Sequence, residues 1–422
     1  MRNSMRDHFT QENATIIVGL DIGTTKVCAL AAEVKPGERL NIVGFGSARS
    51  MGMRKGVVVN IERTVESIQA AIRECELMSG IQIREVAVGI AGSHIQGRNS
   101  HGMVTVQYNR NVSDDDIRRV IEAAQAVNIP NDREVLHILP REFIVDDQDG
   151  VQNPLGMSGV RLEANVHIVT CSATSAQNIV KCCNLAGLEV SDIVLEPLAS
   201  AQAVLSLDEK ELGVALVDIG GGTTDIAVYS GGSIVHTSVL AVGGNHLTND
   251  IAIGLCTPIA EAETLKHNHG VAMSTLVEPD EMINVPSVGG RKTRTLDKRL
   301  IADIIEPRFR EIFELVNKEL DRSNFRHVIA SGAVITGGSS LMPGADELAA
   351  DILKFPVRVG YPENITGLNE TVYSPMHATG VGLLRYGLAH GATTRNQPEM
   401  VGDANLMDRV SRRMRDWMHE FF

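Results

Sequence analysis

A short phrase occurs twice in this chain, and it constrains the fold more than any other feature. The first copy, VGLDIGTTKV, begins at Val18, and the second, LVDIGGGTTDIAV, begins at Leu216. In each copy an apolar run typical of a buried strand ends in Asp-Ile-Gly and is followed by a Gly/Thr turn and another apolar run. Two strands joined by a tight turn form a β-hairpin. The duplication therefore predicts two related half-domains that close on one ligand from opposite sides.

The chemistry of the two turns predicts a phosphate ligand. Glycine has no Cβ, so a glycine-rich turn lets its backbone N–H groups approach an anion closely. The aspartate before each turn, Asp21 or Asp218, would repel a phosphate unless a divalent cation and its water molecules lay between them. These two aspartates are therefore the predicted metal-binding residues for a magnesium nucleotide. The predicted phosphate-binding residues are Gly23, Thr24, Thr25, Gly220, Gly221, Gly222, Thr223 and Thr224.

A single turn of this kind is a weak signal, because turns after buried strands are often rich in Asp, Gly and Thr for conformational reasons. A third element strengthens the prediction. In VITGGSSLMPGADELAADIL an apolar strand ends at Thr336, Gly337, Gly338 and Ser339 follow, and a helix is predicted to start near Pro343. Since no aspartate ends this strand, the turn suits an uncharged part of a ligand, such as ribose or adenine. An ordinary tight connection from strand to helix is the alternative.

The order of these elements resembles the superfamily of actin, the sugar kinases and the DnaK-type ATPases. Longer blocks narrow the resemblance to the FtsA family of bacterial division proteins, over about residues 16–422. The blocks are VGLDIGTTKV, GMRKGVVVN, NPLGMSGVRL, ELGVALVDIGGGTTDIAVYSGG, VPSVGGR, IIEPRF and VGLLRYG. The resemblance implies an α/β, two-lobed, actin-like ATPase fold with a small α+β subdomain inserted in the first lobe and a C-terminal amphipathic helix.

The resemblance also implies further site residues. Superfamily members often close over phosphate with a turn like Gly243-Gly244. They commonly contact the nucleoside from a later helix, here the one predicted in TPIAEAETLKHNHG. Glu263 and Lys266 lie three positions apart on one face of this helix. They are the predicted nucleoside contacts, and a surface ion pair is an equally good interpretation. Glu196 begins the interlobe helix, where many relatives place the polar residue that positions the attacking water, so it is a candidate general base; Glu-Pro is also a common helix start.

The pattern of apolar and polar residues changes along the chain and divides it into segments. Between about residues 86 and 166, short alternating runs flank one helix with Ser113 as its predicted cap and three aspartates in its first turn. This part resembles the subdomain that FtsA has and actin lacks. The predicted segments are 14–85, 167–195 and 365–391 for the first lobe, 86–166 for the inserted subdomain, 196–364 for the second lobe, 392–405 for a flexible linker and 406–422 for a membrane-targeting helix.

Composition excludes several function classes. The chain has 52 acidic and 39 basic residues and a net charge of −13, which disfavours a general nucleic-acid-binding protein. The six cysteines show no CxxC spacing and are predicted to be buried thiols in a reducing cytosol. The polar N-terminus lacks the apolar region of a signal peptide, and no apolar run is long enough to span a membrane.

Basic residues gather in VGGRKTRTLDKRL and in IIEPRFREIF, although the chain as a whole is acidic. A solvated face is the commoner explanation for such a run. The resemblance favours a docking surface instead, because FtsA proteins bind the acidic, flexible C-terminal tail of the tubulin-like protein FtsZ on this part of the second lobe. Arg291 and Arg308 are the predicted contacts.

The last seventeen residues, LMDRVSRRMRDWMHEFF, form a predicted amphipathic helix. At about 100° per residue, the large apolar side chains fall on one half of the helix and the arginines on the other. Docking onto protein is the usual role of such a helix. Its terminal position, its loose preceding segment and its arginines favour a helix that lies in a membrane interface. The predicted membrane contacts are Leu406, Val410, Met414, Trp417, Met418, Phe421 and Phe422.

These features imply an ATP-binding, actin-like division protein with weak ATPase activity at most. It is expected to polymerise on the cytoplasmic face of the inner membrane at the division site, to anchor FtsZ there and to help recruit later division proteins. The alternative is a soluble small-molecule kinase, but the sequence offers no convincing acid or base for a second substrate. A chaperone would require a peptide-binding domain, and a pilus-assembly relative would not require the tail.

Overall fold

The computed structural model describes residues 15–35, 39–107 and 111–390. The strands, numbered β1 to β19 in chain order, are Thr15–Ile22, Lys26–Val34, Leu40–Arg49, Met53–Arg54, Val57–Val58, Glu85–Ile90, Gln96–Thr105, Arg133–Val145, Gln148–Val151, Arg161–Ser172, Glu189–Leu195, Val214–Ile219, Thr224–Ser230, Ser233–Leu240, Met282–Val285, Arg294–Asp297, Ala333–Thr336, Val357–Val359 and Ile365–Gly367. The α-helices, α1 to α11, are Ile61–Ser79, Asp114–Gln125, Ala173–Leu185, Glu196–Val204, Leu207–Leu212, Gly244–Gly254, Ile259–His269, Arg299–Ser323, Ala345–Leu353, Asn369–Val372 and Ala378–Ala389. The predicted linker and tail helix lie outside these described ranges.

Each copy of the repeated phrase folds as a hairpin within the main sheet of one lobe. The first-lobe sheet has the order β11-β6-β1-β2-β3-β19, and the second-lobe sheet has the order β14-β13-β12-β17-β18. In both, the first strand of the hairpin pairs antiparallel with the second and parallel with another strand, β6 or β17. The apolar runs are buried on both faces, as expected of strands inside layered α/β folds. The predicted two-lobed fold with related hairpins is confirmed.

Helices α4 and α11 lie between the two sheets. One apolar core combines residues of β2 and β3 from the first lobe, of β12 and β13 from the second, and of both helices. The two helices cross closely, because a Cβ built on Gly382 of α11 would lie 1.8 Å from the carbonyl oxygen of Ala199 in α4. Only a residue without a side chain permits this approach. The lobes are therefore joined through a tight crossing of two helices.

The inserted α+β part consists of the sheet β7-β10-β8-β9 and helix α2, with its own apolar core. The predicted cap of α2 is present, since the Ser113 hydroxyl accepts a hydrogen bond from the Asp116 backbone N–H at 3.3 Å. The Asp116 carboxylate in turn accepts one from the Ser113 backbone N–H at 3.1 Å. These reciprocal bonds satisfy two backbone donors at the helix start. The exact segment boundaries stay predictions.

This inserted part also contacts the second lobe. The ring of His167 on β10 is almost fully buried and lies 2.9 Å from the Thr237 hydroxyl on β14 through Nε2. Its Nδ1 lies 2.7 Å from the side-chain oxygen of Asn99, which donates from Nδ2 to the Val235 carbonyl at 3.1 Å. Buried polar groups need such partners. The inserted part is thus hydrogen-bonded to β14 of the second lobe.

Two smaller findings correct or complete the sequence predictions. Five of the six cysteines are buried, but Cys256 is exposed because it lies in the turn after α6, with a backbone φ of 48°. The helix predicted near Pro343 begins at Ala345, after a short 3-10 turn over Gly338–Leu341. Within the described ranges, no helix combines the length and the apolar character needed to cross a membrane.

Candidate functional site

A cavity of about 370 Å³ lies between the two lobes and is lined by residues from both. Its volume is within the usual range for small-molecule sites. The predicted residues that line it are Asp21, Gly23, Thr24, Thr25, Glu196, Asp218, Gly220, Gly221, Gly222, Thr223, Gly244, Glu263, Lys266, Gly337, Gly338 and Ser339. Thr224 and Gly243 are not in the lining. Thr224 is fully buried and donates to the Val242 carbonyl, and Gly243 packs behind Gly220.

The two hairpin turns have the same internal geometry. In the first, the Gly23 N–H donates to the Lys26 carbonyl at 3.0 Å, and in the second, the Gly220 N–H donates to the Thr223 carbonyl at 3.0 Å. The turns meet across the cleft, since a Cβ on Gly221 would lie 1.9 Å from the Thr25 hydroxyl and one on Gly222 would lie 2.5 Å from the Thr24 hydroxyl. Glycine is required at these positions for the lobes to come this close.

Four carboxylates gather where the turns meet. Burial raises the pKa of Asp21 to about 6, with Lys26 opposing the shift and Asp218 adding to it. Burial, reinforced by Asp218, raises the pKa of Asp225 to about 8, and its Oδ1 has no hydrogen-bond partner. Burial and the charge of Asp21 raise the pKa of Glu196 well above its usual value. The cluster therefore favours a cation in the cavity.

The residues present fit a magnesium ion held together with a phosphate group. The described residues contain no cluster of three or more His, Cys, Asp or Glu side chains able to hold a metal without other ligands. Mg²⁺ usually keeps several waters and is bound through one or two carboxylates plus substrate phosphates. Asp21 and Asp218, each nearly buried at the end of its strand, match that arrangement.

Sequence reasoning missed Lys26, the cation of the first hairpin. Its Nζ donates to the Met376 carbonyl at 2.9 Å, lies 3.2 Å from Nδ1 of His377, and the residue lines the cavity. Burial lowers its pKa, although Cys28, Asp21 and Asp218 oppose that shift. Lys26 directly follows the threonine pair of the repeated phrase, and that position is the signal from which it could have been predicted. Asn245 and Thr379 also line the cavity without having been predicted.

Glu263 and Lys266 form an ion pair of 2.8 Å on α7, and both line the cavity. Lys266 is nearly buried and also donates to the Thr248 hydroxyl at 2.9 Å and to the Gly244 carbonyl at 3.3 Å. Although burial opposes it, the hydrogen bond and charge of Lys266 hold the pKa of Glu263 below its usual value. The pair therefore faces the cleft, with Lys266 nearly buried and Glu263 partly exposed.

The two predicted docking arginines lie away from the cleft. Arg291 is exposed and follows a short 3-10 turn between β15 and β16. Arg308 on α8 donates from Nε to Asp250 Oδ2 at 2.6 Å and is also paired with Glu311. The charge of Arg308 is thus largely neutralised within the protein, which the sequence did not reveal. The predicted membrane contacts, residues 406–422, lie beyond the part of the chain that is described.

The paired hairpins, the diglycine turn and the cavity between the lobes define an actin-like ATPase fold. Among solved structures, the chain is similar to "PilM-PilN type IV pilus biogenesis complex", with a TM-score of 0.65 and 17% identity over 88% of this chain and 98% of that chain. It is also similar to MreB5 of Spiroplasma citri bound to ADP, with a TM-score of 0.52 and 15% identity over 88% of this chain and 96% of that one. At these identities the likeness shows the fold alone.

The family model "Cell division protein FtsA" matches residues 215–382, the model for the SHS2 domain inserted in FtsA matches 92–170, and the Hsp70 protein model matches 172–247. The chain is 53% identical to the cell division protein FtsA of Pseudomonas aeruginosa, over 89% of this chain and 90% of that protein. It is 42% identical to FtsA of Escherichia coli, over 96% of each chain. The chain belongs to the FtsA family of cell division proteins.

Proposed function

We propose that this chain is an ATP-binding division protein that polymerises on the cytoplasmic face of the inner membrane, anchors FtsZ there and helps to recruit later division proteins. The observation that carries the proposal is the meeting of both hairpins at one cavity in a chain that belongs to the FtsA family. Division-complex partners follow from the family, and the specific partners, FtsZ and further copies of this chain, are part of the proposal.

The ligand of the cavity is proposed to be ATP with Mg²⁺. The glycine turns and the threonines around them would hold the phosphates, and the Gly337-Gly338-Ser339 turn would face the nucleoside with Glu263 and Lys266. Bound Mg²⁺ would shield the phosphates from Asp21 and Asp218. Glu196 lines the same cavity and is proposed to position the attacking water. ATP turnover is proposed to be weak, with ATP acting mainly to stabilise the assembled form.

Lys26 is proposed to contact a phosphate of the bound nucleotide. Lys26→Met is therefore expected to weaken ATP binding about tenfold or more, because it would remove that charge-assisted contact and leave the carboxylate cluster without its neighbouring cation. Equilibrium titration with a fluorescent ATP analogue in the presence of Mg²⁺ measures the effect. Lys181→Met, which removes an exposed lysine from α3, is the matched control. Equal affinities for the two variants would contradict the assignment of Lys26.

Membrane attachment is proposed to run through residues 406–422. Immersing the apolar half of the helix predicted there would release about 5–10 kcal/mol before costs, and the ordering of the helix would consume a large part of that free energy. A single tail therefore binds weakly. In a polymer many tails act together, and their combined binding holds the assembly on the membrane.

Lipid monolayers viewed by negative-stain electron microscopy test the whole proposal. Purified protein with ATP and Mg²⁺ is expected to form lipid-bound filaments, and the same protein without nucleotide is expected to form fewer. Absence of assembly, together with a phosphorylated small-molecule product, would contradict the scaffold and support a kinase.

Arg291→Glu is expected to weaken binding of the FtsZ C-terminal tail about tenfold. The exposed arginine would attract an acidic peptide, whereas the glutamate that replaces it would repel one. A titration with the labelled tail peptide measures it. Lys318→Glu on α8 makes the same charge change outside the basic run and is the control. Arg308 is unsuited to this test, since its reversal would also break the Asp250 pair. Unchanged tail affinity in Arg291→Glu would overturn the docking assignment.

A further inference from the structure

We infer that Ser200 and Thr379 position the carboxylate of Asp218 and so connect occupancy of the cleft to helix α11. The inference rests on the proposed function, because it takes Asp218 to face a magnesium nucleotide. Neither hydroxyl belongs to the repeated phrase or to the diglycine turn. Each lies on a helix between the lobes, Ser200 on α4 and Thr379 on α11.

The three side chains form one buried hydrogen-bonded group. Ser200 Oγ donates to Asp218 Oδ2 at 2.6 Å. Thr379 Oγ1 lies 3.4 Å from the same oxygen and 3.0 Å from Ser200 Oγ. Ser200 is fully buried and Thr379 is nearly so. A buried carboxylate needs such donors, and hydrogen bonds to a charged group are stronger than neutral ones.

The second carboxylate oxygen is confined from the other side. A Cβ on Gly337 would lie 2.4 Å from Asp218 Oδ1, and Gly337 has a φ of 83°. Glycine is needed at that position for both reasons. Asp218 is therefore held between two hydroxyls and the backbone of the diglycine turn. A metal-facing carboxylate held in this way binds without first having to be ordered.

The tight crossing of α4 and α11 explains why the hydroxyls meet. Gly382 lets α11 approach the Ala199 carbonyl, and Ser200 is the next residue along α4. Thr379 lies one turn before Gly382 on α11, so the crossing brings both hydroxyls to one point. Asp218 comes from the second lobe, whereas α11 packs on the first-lobe strands.

The hydrogen bond from Thr379 connects α11 directly to the carboxylate of Asp218. A magnesium nucleotide bound at Asp218 also stabilises the hydrogen bonds that reach Thr379 near the start of α11, and α11 ends at Ala389, 17 residues before the tail segment 406–422. We therefore expect bound magnesium nucleotide to protect the amides of α11 from hydrogen exchange. The bond from Thr379 is the connection through which this protection arises.

Two measurements on the full chain test the inference. The first is the ratio of ATP-analogue dissociation constants in EDTA and in Mg²⁺. The second is hydrogen exchange of residues 378–389 with and without Mg²⁺ and ATP. Ser200→Ala and Thr379→Val are expected to reduce the Mg²⁺-dependent gain in affinity about tenfold, and Thr379→Val is expected to lose the added protection of α11. Thr379→Ser keeps the hydroxyl and is expected to behave as wild type.

The controls separate positioning from stability. Ser67→Ala removes another buried helical serine hydroxyl, remote from the cavity on α1, and is expected to leave the ratio unchanged. Variants with the wild-type Mg²⁺ ratio and wild-type α11 protection would overturn the inference alone. A wild-type protein whose ATP affinity does not depend on Mg²⁺ would overturn it together with the proposed function. A variant that lowers affinity equally in EDTA and Mg²⁺ would show a structural role and also overturn it.

Discussion

Gly382→Ala is expected to lower the free energy of unfolding by about 3 kcal/mol, because the added Cβ meets a carbonyl oxygen that belongs to a buried helix. That Cβ would lie 1.8 Å from the Ala199 oxygen, a distance that only movement of α4 or α11 can relieve. In an unconstrained helix the same change would stabilise the protein by up to about 1 kcal/mol. The sign of the change is therefore diagnostic, and urea denaturation followed by circular dichroism measures it.

Gly380→Ala on the same helix is the matched control. Its Cβ would lie 2.5 Å from Leu30 Cδ1, the end of a flexible side chain that can rotate away. We expect a loss of about 1 kcal/mol or less for this variant. Equal stabilities for the two alanine variants would show that the crossing of α4 and α11 is not the constraint that the structure indicates.

Trp417→Glu is expected to abolish membrane binding in liposome flotation. The change removes the single tryptophan of the chain from the predicted interfacial stripe and places a charge there, at a cost of about 2–3 kcal/mol per helix. In a filament every tail carries the defect, so the losses accumulate along the polymer. We expect wild-type protein with ATP and anionic vesicles to float and the variant to stay at the bottom of the gradient.

His419→Glu introduces the same negative charge on the polar half of the predicted helix and provides the comparison. It is expected to weaken flotation only modestly, through repulsion from anionic lipid. Flotation of Trp417→Glu at the wild-type level would contradict the membrane role of residues 406–422. Loss of flotation in both variants to the same degree would point to net charge rather than to the apolar stripe.

The hairpins were predictable because the residues that specify each strand and turn are adjacent in the sequence. Strands buried on both faces appear as continuous apolar runs, and the turns between them carry the glycines that close approach requires. The third element was predictable for the same reason, although its helix begins slightly later than expected. The duplication then indicated a cavity between two related lobes, and nearly all residues predicted from these turns line one.

Contacts between distant parts of the chain were not predictable from one sequence. Ser200 and Thr379 lie in apolar helices where a hydroxyl is unremarkable, and only the crossing at Gly382 brings them to Asp218. Arg308 resembles its basic neighbours until the fold pairs it with Asp250. Local patterns therefore identified the turns that form the cavity, whereas the side chains that orient and neutralise them depend on the tertiary structure.

The hydrogen bond between His167 and Thr237 joins the inserted part to the second lobe, so the two lobes are connected at a second place besides α4 and α11. Both ends of the inserted part connect to the first lobe, yet the inserted part is also hydrogen-bonded to β14 at the edge of the second-lobe sheet. Two bodies joined by one hinge can rotate freely, but two bodies joined at a hinge and at a second contact cannot. A rotation about α4 and α11 that changed the width of the cleft would therefore have to move the inserted part with the second lobe or break this hydrogen bond.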